Sequence, residues 1–231
     1  MATLFNKKTF TYFNGALKHK NSKAWFEKNQ ELYQENVHKP MESMVAKIGA
    51  EFGKDLPKID ILPRKISKPI KRNQDPESGL LRSNSFISLA EKTTSMFESN
   101  PGIYFSVGLE PYGNILGIGL YQVSSRQMSL LRNGVTSDYS VFHKIITSKK
   151  LKARLGGLSG ETYKRFPKGF REDQEGAEYL WHKQFFLARK LTQAQIFSKN
   201  FESEILTDIE VAIPFLQWTR KTVGTYKKSI R

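Results

Sequence analysis

The chain has 231 residues, enough for one large domain or two small ones with a buried core. Hydrophobic residues make up 39%, with 16 Phe, 9 Tyr and 3 Trp, which excludes a disordered chain, and the absence of cysteine excludes disulfides, thiolate zinc sites and cysteine nucleophiles. The formal net charge is +15, from 37 Lys and Arg against 22 Asp and Glu; it favours anionic partners such as nucleic acid or nucleotides, and equally describes a self-repelling, solvated surface.

The N-terminus carries Lys7 and Lys8 with no apolar run behind them, so it does not read as a secretory signal. No run of about 18 apolar residues occurs, which argues against a membrane span, and the expected compartment is the cytoplasm. Asn21-Ser22 is a cap for the first predicted helix, in which Trp25, Phe26, Leu32, Tyr33 and Val37 fall near 3.6-residue spacing. Lys28, Gln30, Glu31, Gln34 and Glu35 form its wet side. Pro40 restricts His38-Lys39 and opens a second helix, with Met41, Met44, Val45, Ile48 and Phe52 as its apolar face and Gly53 as its stop. Residues 58–62 alternate like a short strand.

Residues 63–79 contain three prolines and a glycine, which forbid a long helix. From Arg64 to Arg82 there are six cations and two acids, the densest basic loop in the chain. Strand-like runs follow at 85–89, 103–109 and 115–121. Pro111-Tyr112-Gly113-Asn114 is turn chemistry, so the last two runs pair as an antiparallel hairpin. Gly117 and Gly119 match no phosphate loop and are read as allowing a bend or close packing. Ser124-Ser125-Arg126-Gln127 is a capping box, with Met128, Leu131 and Val135 behind it. Val141, Phe142, Ile145 and Ile146 mark a helix ending before Lys149-Lys150. Asp173 is expected to cap a helix carrying Tyr179 and Leu180, and residues 185–188 extend that helix or form a strand. Thr192-Gln193-Ala194-Gln195 is another capping box. A last helix carries Ile205, Ile209, Ile213 and Leu216 and is interrupted at Pro214, and the basic tail 219–231 is expected to fray. The expected architecture is one α+β domain over 1–231, with a central antiparallel sheet and helices before and after it.

No zincin or nucleophile-elbow motif is present, and Gly157-Leu158-Ser159-Gly160 falls one residue short of the latter. His19, His38, His143 and His182 are scattered, so no metal or cofactor is expected. The cations carry more information. Arg64, Lys68, Lys71, Arg72 and Arg82 share one loop region, and arginine can hold a phosphate through two parallel hydrogen bonds. Lys164, Arg165 and Lys168 interleave with Phe166 and Phe170, followed by Lys183, and cations beside aromatics suit a stacked base with its phosphate. Equally, the two Phe can turn into the core while the cations face water, with Pro167 and Gly169 shaping a turn.

Three blocks fall in a recognisable order: Trp25-Phe26-Glu27-Lys28-Asn29 with Tyr33 and Pro40; residues 104–121, with Gly117-Ile118-Gly119-Leu120-Tyr121 as a glycine-rich strand; and Gly157, Gly160, Pro167-Lys168-Gly169-Phe170 and Leu180-x-x-Lys183-x-Phe185. In these blocks the chain resembles the conserved-hypothetical family called domain of unknown function 2461, found in bacteria and fungi. The resemblance implies a single α+β domain and no established activity. Members carry a polar block, Arg-Asp-x-Arg-Phe-Ser-x-Asp-Lys-x-Pro-Tyr-Lys, ahead of the sheet. Here residues 64–82 hold that place. Arg82-Ser83-Asn84 stands for the block's end, and its two Asp and its aromatics have no counterparts. If the block is the family's working site, that activity is altered or lost in this chain.

The leading expectation is a protein that binds a phosphate-bearing ligand or nucleic acid through Arg64, Lys68, Lys71, Arg72, Arg82, Lys164, Lys168 and Lys183. A second reading is an enzyme acting on an anionic small molecule, which needs Arg82, Lys168 and Lys183 to converge on one pocket with a carboxylate. A third is a protein–protein module, which needs an exposed aromatic patch.

Overall fold

Asn6 starts a helix that the sequence reading did not anticipate, α1 (Lys7–Lys18), through a capping box with Thr9. Its buried positions, Thr9, Phe10, Tyr12, Phe13 and Ala16, follow a helical stripe that its lysines obscure. The computed structural model describes residues 3–71, 79–92, 98–111 and 113–224.

Ser22 caps the next helix as expected, but the single predicted helix is three pieces: α2 (Lys23–Lys28), α3 (Gln30–Tyr33) and a π-helix over Gln34–His38. The first break falls at Asn29, whose side chain donates to the Trp25 carbonyl at 2.8 Å and competes with the helical ladder. The π-helix runs directly into α4 (Lys39–Phe52), which buries Met41, Met44, Val45, Ile48 and Phe52. Residues 58–62 form no strand. Lys58 turns at φ 72°, and only Ile59 reaches the sheet, as a single bridge to Glu91.

The sheet contains β1 (Asn84–Ala90), β2 (Gly102–Gly108), β3 (Ile115–Leu120), β4 (Leu158–Ser159) and β5 (Phe185–Lys190), ordered β1-β2-β3-β5-β4 and antiparallel throughout. The β2–β3 hairpin is as predicted, with Phe105 opposite Leu116 and Ile103 opposite Ile118. Alternation sends Ile87, Leu89, Ile103, Phe105, Leu116, Ile118, Phe185 and Leu187 into the core. The other face carries Ser88, Tyr104, Gly117 and Ala188 in one cross-strand row, and Ala90, Gly102, Gly119 and Phe186 in the next.

Ser124 and Gln127 form the expected capping box on α5 (Ser125–Ser137), and α6 (Tyr139–Ile146) follows. As expected, α6 ends before Lys149 and Lys150; these two lysines open a further helix, α7 (Lys149–Leu155), anchored by buried Leu151 and Leu155. Asp173 is not a cap. It pairs with Arg171 at 2.6 Å, and α8 (Ala177–Leu180) starts after Gly176. Residues 185–188 are strand. Thr192 caps α9 (Gln193–Ile196). The last helix, α10 (Phe201–Val223), is not interrupted at Pro214. That ring is on the exposed side, where the carbonyl it leaves unbonded faces solvent, while Ala212, Phe215 and Leu216 hold the helix to the core. The helix also claims residues 219–223 of the expected tail, with Thr219 and Val223 buried; residues 225–231 lie outside the described ones. The helices before and after the sheet pack on it in an α+β architecture, and α10 lies against β3. Among the described residues, no helix is long and apolar enough to cross a membrane.

Candidate anion-binding pocket

Pro40 is the origin of the site. It has no N–H for the carbonyl of Asn36 four residues back, and its ring crowds that carbonyl. The backbone relieves the conflict by widening into the π-helix, and Thr9 of α1, fully buried, donates its hydroxyl to the Asn36 carbonyl at 2.7 Å. Asn36 is clamped further by its own bond to the Leu32 carbonyl at 3.1 Å and by Asn6 at 3.3 Å. The wider turn stacks His38 on Tyr33, with ring centroids 5.8 Å apart. π-turns of this kind recur at functional sites.

Opposite this helical wall, residues 63–69 are pinned along the edge of β1. Ile66 bridges Ile87, the Ser67 N–H donates to the Phe86 carbonyl at 2.8 Å, and the Phe86 N–H donates to Ser67 Oγ at 3.0 Å. Between the two walls is a cavity of about 460 Å³. Phe26, Gln30, Tyr33, Gln34 and His38 line one side, and Pro63, Arg64, Ile66, Ser67, Lys68 and Pro69 the other.

The loop wall is cationic. Arg64 donates to Asp60 at 2.6 Å, and Lys65 approaches the same carboxylate at 3.5 Å. The Arg64 hydrogen bond, reinforced by the Lys65 charge and opposed by partial burial, holds the Asp60 carboxyl below the usual range, so it stays ionised and props Arg64 at the rim. Lys68 is exposed, with no partner among the described residues. The helical wall is neutral. Burial, aided by the Glu42 charge, pushes the Tyr33 phenol up to about 12, which keeps it a hydrogen-bond donor. His38 Nε2 lies 3.5 Å from Glu42, and its Nδ1 is buried without a hydrogen-bond partner among the described residues.

The predicted cations divide. Arg64 and Lys68 line this pocket. Arg82 acts behind it as a clasp: its Nε donates to the Lys68 carbonyl at 3.1 Å, its N–H to the Pro69 carbonyl at 2.9 Å, and its guanidinium lies over the Phe86 ring. The Lys71 N–H bonds the Leu80 carbonyl at 2.9 Å, outside the cavity wall, and Arg72 lies outside the described residues. Lys164 and Lys168 are exposed on the loop that follows β4, while Phe166 meets Trp181 edge-on at 5.2 Å and Phe166 and Phe170 pack against the core. Lys183 pairs with Glu161 at 2.7 Å. β1 and β4 are the opposite edges of the sheet, about 19 Å apart across the strands, and Arg82 leads into β1 whereas Lys183 leads into β5, which is separated from β1 by two strands and antiparallel to the β3 it pairs with. Arg82, Lys168 and Lys183 therefore do not converge, which removes the arrangement the enzyme reading required.

Sequence reading placed Gln30 and Gln34 on the wet side of the helix and Tyr33 on its apolar stripe, and counted His38 only among four scattered histidines. Their shared spacing, 30, 34 and 38, was the available signal. A second concavity, of about 640 Å³, lies on the glycine-bearing sheet face around Tyr104, Gly117, Tyr121 and Phe186, and no Lys or Arg among the described residues lines it. The exposed large hydrophobics, Leu17, Leu62, Tyr121, Val141 and Tyr163, sit on five separate segments of the described chain. No group of three metal-ligating side chains occurs among the described residues. A family model described as a conserved hypothetical protein (DUF2461) matches residues 8–218. No curated protein and no solved structure matches the chain.

Proposed function

Since the chain belongs to this conserved hypothetical family (DUF2461), whose description names no activity, we propose its function from the pocket: it binds a small phosphate-bearing ligand between the π-helix and the basic loop. The observation that carries this reading is the pairing, across one cavity, of a cationic wall, Arg64 and Lys68, with a wall of Phe26, Gln30, Tyr33, Gln34 and His38 that has no carboxylate among the described residues. The first family block supplies Phe26 and Tyr33 to one wall. The loop that replaces the family's polar block supplies the other, so the altered segment still faces the cavity. A compact anion fits this geometry better than a nucleic acid, because the other described candidate cations lie at the far edge of the sheet or are already engaged.

Titration with inorganic phosphate, followed by backbone amide shifts, tests the proposal. Shifts are expected at residues 34–38 and 63–69, and the Arg64→Ala/Lys68→Ala double variant is expected to weaken binding at least tenfold. Shifts confined to residues 161–170, or an unaffected double variant, would refute it. Salt-sensitive binding of short single-stranded DNA across both segments would favour the nucleic-acid reading instead.

A further inference from the structure

Resting on that reading, we infer that the ligand is a nucleoside monophosphate, with its phosphate on Arg64 and Lys68 and its base against Phe26, Gln30 and Gln34. The cavity, about 460 Å³, is in the range of small-molecule sites and far larger than a phosphate ion needs. Its two walls differ in chemistry, so it suits a ligand with an anionic end and an uncharged, flat end. The neutral wall shows what the flat end presents. Gln30 and Gln34 are four residues apart, which puts them on one helical face about 5–6 Å apart. Both are exposed, and neither amide has a hydrogen-bond partner among the described residues. An amide offers a donor and an acceptor side by side, which is the complement of a nucleobase edge. Phe26, half-buried on the same wall, and Pro63 and Pro69 opposite provide apolar surfaces for a planar ring. Among the described residues no carboxylate lines the cavity, which suits an anionic ligand better than a cationic one.

The test compares the four common nucleoside monophosphates, ribose 5-phosphate and inorganic phosphate by calorimetric titration of the whole chain. At least one nucleotide is expected to bind tenfold or more tightly than ribose 5-phosphate. Gln30→Ala/Gln34→Ala, two exposed positions whose truncation leaves the fold intact, is expected to erase that gain while keeping phosphate affinity. Arg64→Ala/Lys68→Ala is expected to weaken all three ligand types. If phosphate binds but no nucleotide exceeds ribose 5-phosphate, the inference fails and the anion pocket stands. The same holds if the glutamine variant keeps the nucleotide gain. If none of the ligands binds, both fail.

Discussion

Asp208 is fully buried on α10, and two guanidinium groups meet it from different elements: Arg154 of α7 on one oxygen and Arg189 of β5 on the other. Arg154 also reaches the Glu204 carbonyl at 3.1 Å and Arg189 the Glu204 carboxylate at 3.3 Å, so the cluster ties helix, strand and helix together. Removing the one buried anion leaves two cations facing each other. Asp208→Asn is expected to lower stability by about 3–5 kcal/mol, read from urea unfolding. Glu98 is the residue where acid is expected to act. Arg126 and Ser124 both donate to it, at 2.7 and 2.8 Å, and the Arg126 hydrogen bond lowers its carboxyl below the ordinary value of 4.5. A carboxyl depressed in the native state contributes stability above its unfolded value and loses it as pH falls through its native value. The stability gap between the wild type and Glu98→Gln is therefore expected to be full at neutral pH and to close as pH falls below the ordinary carboxyl value of 4.5, in paired denaturation curves at several pH values.

At the scale of elements, two glycines two residues apart on β3 serve opposite ends. Gly119 has φ 125°, and a Cβ there would come within 2.4 Å of the Phe185 carbonyl, so the strand needs glycine at that point. At Gly117 a Cβ would make only ordinary contacts, with Tyr104 at 3.8 Å and the Leu187 carbonyl at 4.0 Å. Gly117→Ala is expected to raise stability by about 0.4–1 kcal/mol through a less flexible unfolded chain, whereas Gly119→Ala lowers it by more than that. Differential scanning calorimetry of the two variants distinguishes them. The sequence reading of bend or close packing thus holds for Gly119, while Gly117 leaves the sheet face open. Pro214 makes a similar point on α10. The freed carbonyl faces solvent on the exposed side, so Pro214→Ala is expected to stabilise the helix by up to about 3 kcal/mol without changing its course. A destabilised variant would show instead that the ring makes a contact the helix needs. Sequence reasoning expected an interruption here because proline's cost is local and legible, while the packing of Phe215 and Leu216 that outweighs it is not.

Across the whole molecule, strand order governs which charges cooperate. The loop at 63–69 is bound to the β1 edge and the 161–170 segment to the β4 edge, with three strands between them. Phosphate at saturating concentration is expected to slow hydrogen exchange at residues 34–38 and 63–69 and to leave 161–170 unchanged. Protection at both edges would contradict a single pocket. The sequence by itself determined what depends on near neighbours: the capping boxes at Ser124 and Thr192, the apolar face of α4, the β2–β3 hairpin, the α+β class and the family. Period and cap chemistry are written within a few residues of where they act. Only the tertiary structure decided that Thr9 rescues the carbonyl orphaned by Pro40, that Arg82 clasps the loop instead of facing the cavity, and that two of the candidate cations, Arg64 and Lys68, face a wall carrying His38 and two glutamines. Those outcomes rest on contacts between residues far apart in the chain, and no local pattern records which distant segment a side chain will meet.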